Sequence, residues 1–485
     1  MQGKRVISWI IFATVLIVSL SAVCETLSFK YGDGILGLEY WYEQEEDTVD
    51  LLILGSSHAF ENVNTAVLYD QYGISSYVLA GSVQPFWNSW YYLKEALRTQ
   101  RPKLVILEGY LAVQDFEYGD HSWIIKNNLG IKNCFARLSS IAVSAPEDKA
   151  DDYIFSYRLW HSRYEEINES DFPDYYEKPL YEYFKGFLIN WETTSFEKPG
   201  VETYQGVKSI NRKEELYFRK IIELCQQQDI PVMVFVSPYV LSEEEWGNYR
   251  YLESVAAEYQ VPFIDYNSEE EYVRMGIDFG RDMADIGHLN YLGNVKFTSA
   301  LGEDVLQYVQ LPDHRGDGKY ASWEMNSRDI HARVADHEVA AAGDCGSLEA
   351  ALDLNHQILY LYAISDTSKI CAGSSLLDVA GTNKNLLKDG GFYLLDDSCV
   401  RKINNDEVQW KYEEMLDEKY FFAENRLEVR ENQVIRETLL YFDGNQYINE
   451  QEGMYLFVYN PFTKSLSGVK QLKMDAEGNV AVVSK

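Results

Sequence analysis

Residues Asp50–Asn64 read DLLILGSSHAFENVN, and this stretch decides the fold. The apolar run Leu51–Leu54 is short and unbroken, which suits a strand buried on both faces. It stops at Gly55, and Ser56, Ser57 and His58 follow at once. A strand that ends in a glycine turn and leads into a helix lifts one side chain clear of the sheet's C-terminal edge. Ser57 is two residues past the turn and is the candidate nucleophile. On its own, Ser57 reads more readily as a residue that caps a helix.

A second fragment, Asp285–Asn290 (DIGHLN), changes that balance. Serine nucleophiles need a base to take the proton and a third group to orient the base. Asp285 and His288 are three residues apart in a loop before a helix expected from Tyr291, so one turn can present both to one cleft. Alone they read equally as an exposed polar loop. Paired with Ser57, at opposite ends of one α/β domain, they predict His288 on Ser57 and Asp285 on His288.

Between the two fragments strand and helix patterns alternate. Strands are expected at Leu51–Leu54, Ser76–Leu79, Leu104–Leu107, Val232–Val236 and Pro262–Ile264. Helices are expected at Trp87–Thr99, Lys213–Gln228 and Ser242–Tyr259, the last with a capping box from Ser242 to Glu245. This predicts a doubly wound α/β domain with a mostly parallel sheet over residues 45–310. An aromatic-rich insertion, 110–212, interrupts it, with helix expected at Asp152–Glu166 and Pro179–Phe187. An insertion after a strand's C-terminal end would cover the active-site edge as a lid or substrate platform, or merely pad the fold. Residues 311–320 (LPDHRGDGKY) look like a linker. Beyond them, 320–485 reads as an accessory β-rich or α+β domain, with β-like runs at Ile358–Ile364, Phe392–Leu395 and Tyr455–Tyr459 and no catalytic constellation.

Lys4 and Arg5 precede Val6–Cys24, 19 residues without a charge. That length spans a bilayer, and the flanking positive charges favour the cytoplasmic side. Residues 1–30 are therefore expected to be an anchor or a signal segment. The expected location is a single pass in the cell membrane with the rest extracytoplasmic; a secreted protein is the alternative. A net charge of −33, from 43 basic and 76 acidic residues, argues against nucleic-acid binding. No C-x-x-C pair occurs among the six cysteines, and neither metal nor cofactor is expected. In an exported protein Cys345, Cys371 and Cys399 are candidates for a bridge, with buried free thiols as the alternative.

The two fragments resemble the first and last blocks of the SGNH/GDSL hydrolase superfamily. The resemblance covers about 45–310 and implies Ser57 as nucleophile with Asp285 and His288 completing the triad. It implies an oxyanion N–H from Gly81, in LAGSVQP after the second strand. The family's third block carries an Asn in a G-x-N-D pattern; here the chain reads Glu108–Gly109–Tyr110, so that donor is missing. Gln84 or Asn88 would have to replace it, unless both serve the helix that follows Pro85. Such a departure is similar to the extracytoplasmic branch that includes alginate O-acetyltransferases and the teichoic-acid D-alanylation protein. That branch implies a short-chain acyl ester on a polysaccharide or cell-wall polymer and a membrane-bound O-acyltransferase as partner.

Four further residues are candidates for substrate binding. His58 follows the nucleophile, although adjacent side chains usually face apart. His161 and Arg163, in WHSRY, could hold a sugar or anionic polymer, or lie on a helix surface paired with Glu165 and Glu166. Trp87 could stack on a sugar ring, though with Trp90 it also fits a core-facing helix stripe. The leading expectation is an acyltransferase or esterase. The competing one is a non-catalytic glycan-binding or assembly protein on a degenerate scaffold, which the missing Asn favours and the intact Ser57, Asp285 and His288 oppose.

Overall fold

Successive residues of Leu51–Leu54 bury opposite faces, so a continuous apolar run requires cover on both sides. Leu52 and Leu54, with Val105, Leu107, Val232 and Val234, share a core with helices Phe86–Ala96, Arg212–Gln227 and Glu243–Glu258. Leu51 and Ile53, with Ile106, Met233 and Phe235, share the opposite core with Ala59, Phe60, Leu68 and Phe297. In this computed structural model the strand is β1 (Leu51–Gly55). It belongs to a five-stranded sheet in the order β2-β1-β3-β4-β5. The others are β2 (Ser76–Ala80), β3 (Leu104–Glu108), β4 (Val232–Val236) and β5 (Phe263–Asp265), and every pairing is parallel. The strand order reverses direction at β1. Open α/β sheets bind ligands in the crevice beyond the strand ends at such a switch point.

The structure describes residues 2–155, 157–160, 163–168, 171–172, 185–200, 204–352, 358–363, 391–396, 399–402, 409–416, 418–430, 433–448 and 452–485. They form two compact units, 1–327 and 328–485. Segment 311–320 packs onto the first unit. His314 Nε2 lies 2.7 Å from Asp50 Oδ2, and its ring stacks on Tyr320 at 3.5 Å.

The insertion after β3 carries helices His121–Asn128, Cys134–Ser144, Ala150–Ile154 and Tyr157–Trp160. The single helix expected over Asp152–Glu166 is broken. Phe155 leaves the helical region at ψ 75°, and Arg163–Glu165 forms only a 3₁₀ turn. Of the helix expected over Pro179–Phe187, residues 179–184 lie outside the described residues. Lys185 and Gly186, both at positive φ, turn the chain instead, into an extended strap. Three backbone N–H groups of the strap donate to the domain: Leu188 to Phe60 O at 2.7 Å, Thr194 to Met283 O and Phe196 to Phe279 O, both at 2.9 Å.

At the N-terminus, Gln2–Leu27 is one helix. Its segment Val6–Leu27 is long and apolar enough to cross a membrane, and none of it is buried in the protein. A signal sequence would have the same character.

Among the described residues of the second unit, every strand pairing is antiparallel. One sheet, of β6 (Ile358–Ala363), β7 (Gly391–Asp396), β8 (Cys399–Lys402), β13 (Met454–Asn460), β14 (Ser465–Met474) and β15 (Val480–Ser484), has the order β15-β14-β13-β6-β7-β8; the other, of β9 (Trp410–Leu416), β10 (Lys419–Arg430), β11 (Gln433–Phe442) and β12 (Asn445–Gln446), has the order β12-β11-β10-β9. In β13 (Met454–Asn460), Leu456 and Val458 face Val339, Leu348 and Leu352, whereas Tyr455, Phe457 and Tyr459 face Phe421, Leu440 and Phe442 of the four-stranded sheet. Cys24, Cys134 and Cys225 are free thiols. Cys371, one of the three residues considered for a bridge, lies outside the described residues.

Candidate active site

The turn after β1 is built for one serine and clamped by the other. A Cβ on Gly55 would come within 2.5 Å of Glu108 Cβ and 2.9 Å of Ala59 Cβ, so only glycine fits. Ser56 donates from Oγ to Glu108 Oε2 at 2.8 Å and from its N–H to the same oxygen at 3.2 Å. Tyr110 N–H donates to the other carboxyl oxygen. Ser56 Oγ also accepts the His58 N–H, capping the short helix Ser57–Phe60. Ser56 is thus fully occupied. Ser57 opens the helix, where its N–H has no intrahelical acceptor.

The His288 loop arrives from the far end of the domain. Asp285 Oδ1 accepts the backbone N–H groups of Gly287 at 2.7 Å and His288 at 3.0 Å. These bonds orient the carboxylate, and both its oxygens lie 2.9 Å from His288 Nδ1. His288 Nε2 lies 2.8 Å from Ser57 Oγ. Ser57, His288 and Asp285 therefore form one hydrogen-bonded series at the crevice. The loop has its own supports. Asn62 Oδ1 accepts Leu289 N–H at 2.9 Å, and Asn62 Nδ2 donates to Ser237 Oγ at 2.8 Å. Asn290 caps the helix Tyr291–Tyr308 and donates to Thr193 Oγ1 of the strap at 3.0 Å.

Charge around the imidazole is negative. Burial pushes His288 down, but the hydrogen bond to Asp285 and the charges of Glu61, Asp285 and Glu108 outweigh it, so its pKa rises above the ordinary 6.5. Burial pushes Asp285 up, yet its bonds to His288 and to backbone N–H groups hold it below the ordinary 3.8. Glu61 Oε1 lies 4.0 Å from Nε2, on the side of the ring that faces Ser57. Asn190 of the strap donates to Glu61 Oε2 at 2.6 Å. Glu108 is fully buried, and that burial drives its carboxyl up to about 7.

The remaining candidates fall differently. Gly81 directly follows β2, whose Ala80 pairs with Gly55, so it borders the Ser57 turn. A Cβ there would meet Asn127 Oδ1 at 2.3 Å. Gln84 spends its amide nitrogen on Ser89 Oγ at 3.0 Å, and its oxygen is buried without a partner. The amide of Asn88 is spent between helices, on Ser140 Oγ at 2.9 Å, Ser144 Oγ at 3.0 Å and Asn128 Oδ1 at 3.2 Å. Asn88 is a packing residue, not an oxyanion donor.

His58 is buried beneath Tyr110, rings stacked at 3.7 Å, with its centroid 5.0 Å from that of His288. Burial, then the neighbouring His288, holds its pKa well below the ordinary value, so the ring is neutral. Trp87 is fully buried in the core and offers no face to a sugar. Arg163 serves the end of the N-terminal helix, not the cleft: it pairs with Asp171 at 2.6 Å and donates to the carbonyls of Thr26 and Ser28. His161 lies outside the described residues.

Sequence reasoning missed Glu61, Asn62 and the Ser56 clamp at Glu108. The first two lie in ENVN just after GSSHAF, but only the fold brings them to His288. Among the described residues no group of three or more His, Cys, Asp or Glu is arranged to hold a metal ion. Compared with known proteins, the chain matches no protein-family model and no curated protein.

Proposed function

We propose that this chain is a membrane-anchored, extracytoplasmic serine acyltransferase or esterase of SGNH type, acting on O-acyl groups of a cell-surface or secreted polysaccharide. The observation that carries the reading is the series Ser57 Oγ, His288 Nε2, His288 Nδ1, Asp285, with separations of 2.8 and 2.9 Å. The acetyl group, the polymer and a membrane-bound O-acyltransferase partner rest on the resemblance of GSSH and DIGHLN to that superfamily. The anchor rests on Val6–Leu27.

In this mechanism Ser57 Oγ attacks the acyl carbonyl as its proton passes to His288 Nε2. The oxyanion takes the N–H of Ser57 and that of Gly81. Collapse breaks the ester bond, and His288 gives its proton to the departing oxygen. The acyl group is then an ester on Ser57. A sugar hydroxyl or water next loses its proton to His288 and attacks that ester. Ser57 leaves with the proton, and the enzyme is restored. Asp285 keeps the imidazole in the tautomer that accepts from Ser57 and stabilises the imidazolium. The anchor favours transfer, because it keeps the site beside a membrane-held donor.

A serine-directed fluorophosphonate and a small acetyl ester test the reading. Wild type labels at Ser57 and turns over, and Ser57→Ala does neither. A wild type that neither labels nor turns over, with a Ser57→Ala strain that keeps normal glycan acylation, replaces the enzyme with a non-catalytic assembly protein. Loss of glycan acylation in Ser57→Ala without free esterase activity in wild type identifies transfer.

A further inference from the structure

The helix Cys134–Ser144 (CFARLSSIAVS) leaves an apolar face uncovered. Its buried side is Ser140, Ile141 and Ser144, and its outer side is Cys134, Phe135, Leu138, Ser139 and Ala142, with no charge. Phe135 is 78% exposed and Leu138 38%, three residues apart on one stripe, and Phe155 nearby in the chain is 46% exposed. Single exposed apolar residues need no account, but an uncharged helix face in so acidic a chain does.

Two further observations say what covers it. The first is position. A cavity of about 520 Å³ is lined by Glu25, Phe29, Lys30 and Glu39 together with Arg137 and Trp160. The only charged residue of the helix thus lines a cavity at the foot of Val6–Leu27. Lys30 is three residues past Leu27, so at most about 10 Å of chain separates it from the end of the span. Arg163 and Lys30 fasten that end, each donating to carbonyls of Thr26 and Ser28. The second observation is charge. Segment 121–163 carries six Lys and Arg against four Asp and Glu, whereas the whole chain is −33. Basic and aromatic side chains at a span's end suit the headgroup layer of an anionic leaflet.

We infer that this face of the insertion docks on the bilayer, with Phe135 and Leu138 in the interfacial layer and Arg137, on the flank of the same helix beside the cavity, among anionic phospholipid headgroups. The inference rests on the anchor in the proposed function and adds a second membrane contact. Its consequence for the site is geometric. Asp33 accepts Ser82 N–H at 2.9 Å and pairs with Lys126 at 3.1 Å, and Asn127 Nδ2 donates to Ser82 O at 3.0 Å. Ser82 adjoins Gly81 on the crevice rim. Asp33 is six residues past Leu27, at most about 22 Å of chain, so with its side chain and hydrogen bond the rim lies within about 30 Å of the end of the span. A substrate carried on a membrane lipid or membrane protein can reach that rim without leaving the surface.

The test uses the full chain in phosphatidylcholine vesicles containing a quarter phosphatidylglycerol. Ala142→Cys carries a nitroxide on the outer face in a background where Cys24 and Cys134 are serine; that background alone sets the baseline, and Glu303→Cys is a control. At residue 142 the label is expected to be reached readily by oxygen and severalfold less often by a water-soluble nickel complex than at Glu303. Phe135→Ser with Leu138→Ser, both exposed and safe for folding, should return it to the aqueous value. A label that stays aqueous while the chain resists carbonate extraction overturns the docking face alone. Carbonate release of the whole chain overturns the face together with the anchor. Shielding in native membranes but not in pure-lipid vesicles overturns the lipid surface in favour of a protein partner.

Discussion

Replacing Asp285 by Asn tests the site most sharply, because the backbone dictates which way the amide must face. Asp285 Oδ1 already accepts two N–H groups, from Gly287 at 2.7 Å and His288 at 3.0 Å. An Asn must place its carbonyl there, since an NH₂ would oppose two donors. The NH₂ then takes the Oδ2 position, 2.9 Å from His288 Nδ1, and donates to it. That fixes the imidazole proton on Nε2, which can no longer accept from Ser57. The expected loss is about 10⁴-fold in kcat/KM, or about 5.4 kcal/mol of transition-state stabilisation. The fold should hardly notice. The Asp285 side chain is 53% exposed and its replacement keeps both backbone bonds, so unfolding should shift by less than about 1 kcal/mol. Asp285→Ala leaves the tautomer unconstrained and should fall less far. Turnover of a small acetyl ester and the rate of fluorophosphonate labelling measure this, with Ser57→Ala as the zero. An Asn variant within about tenfold of wild type, or one faster than Ala, refutes the tautomer argument.

Three other outcomes follow from named contacts. His288 must be neutral to act as base, and its pKa is raised, so the acid limb of kcat/KM should lie above pH 6.5; Glu61→Gln removes a charge 4.0 Å from Nε2 and should move that limb down, read as a pH–rate profile. Glu108 ionises near 7 in the fold and near 4.5 unfolded, so the native state holds an extra proton in that window and stability falls as pH rises through it, by about 3 kcal/mol in all; Glu108→Gln should remove this slope in denaturant unfolding of the α/β unit at pH 5 and pH 8, and an unchanged slope would count against the buried charge. Asn62→Ala strands the buried Leu289 N–H, costing about 1–3 kcal/mol, and loosens the His288 loop, so kcat should fall with KM nearly unchanged.

The parts legible in the sequence are those fixed by local chemistry. Leu51–Leu54 announces a strand covered on both faces, and Ser242 with Glu245 announces a helix start whose two reciprocal bonds are both present. Asp285 and His288 lie in one turn, so their spacing alone brings them together. Glu61, Asn62 and Glu108 were not legible because their partners lie 52 to 227 residues away, at Ser56, His288, Leu289 and Asn190. Asn88 and Arg163 misled for the same reason. Each has a side chain suited to ligands, and each is consumed by a distant structural need that no local pattern records.

The strap and the His288 loop also set an order of events. Synthesis from the N-terminus delivers Ser57 231 residues before His288, and the strap that steadies the loop comes between them. A serine without its base is a weak nucleophile. Under the proposed mechanism the chain is therefore inert as a partial product. Acyl groups met during synthesis are safe from it. On that proposal reactivity begins only when the sheet has closed on both ends of its own sequence, and folding itself is the switch that turns Ser57 on.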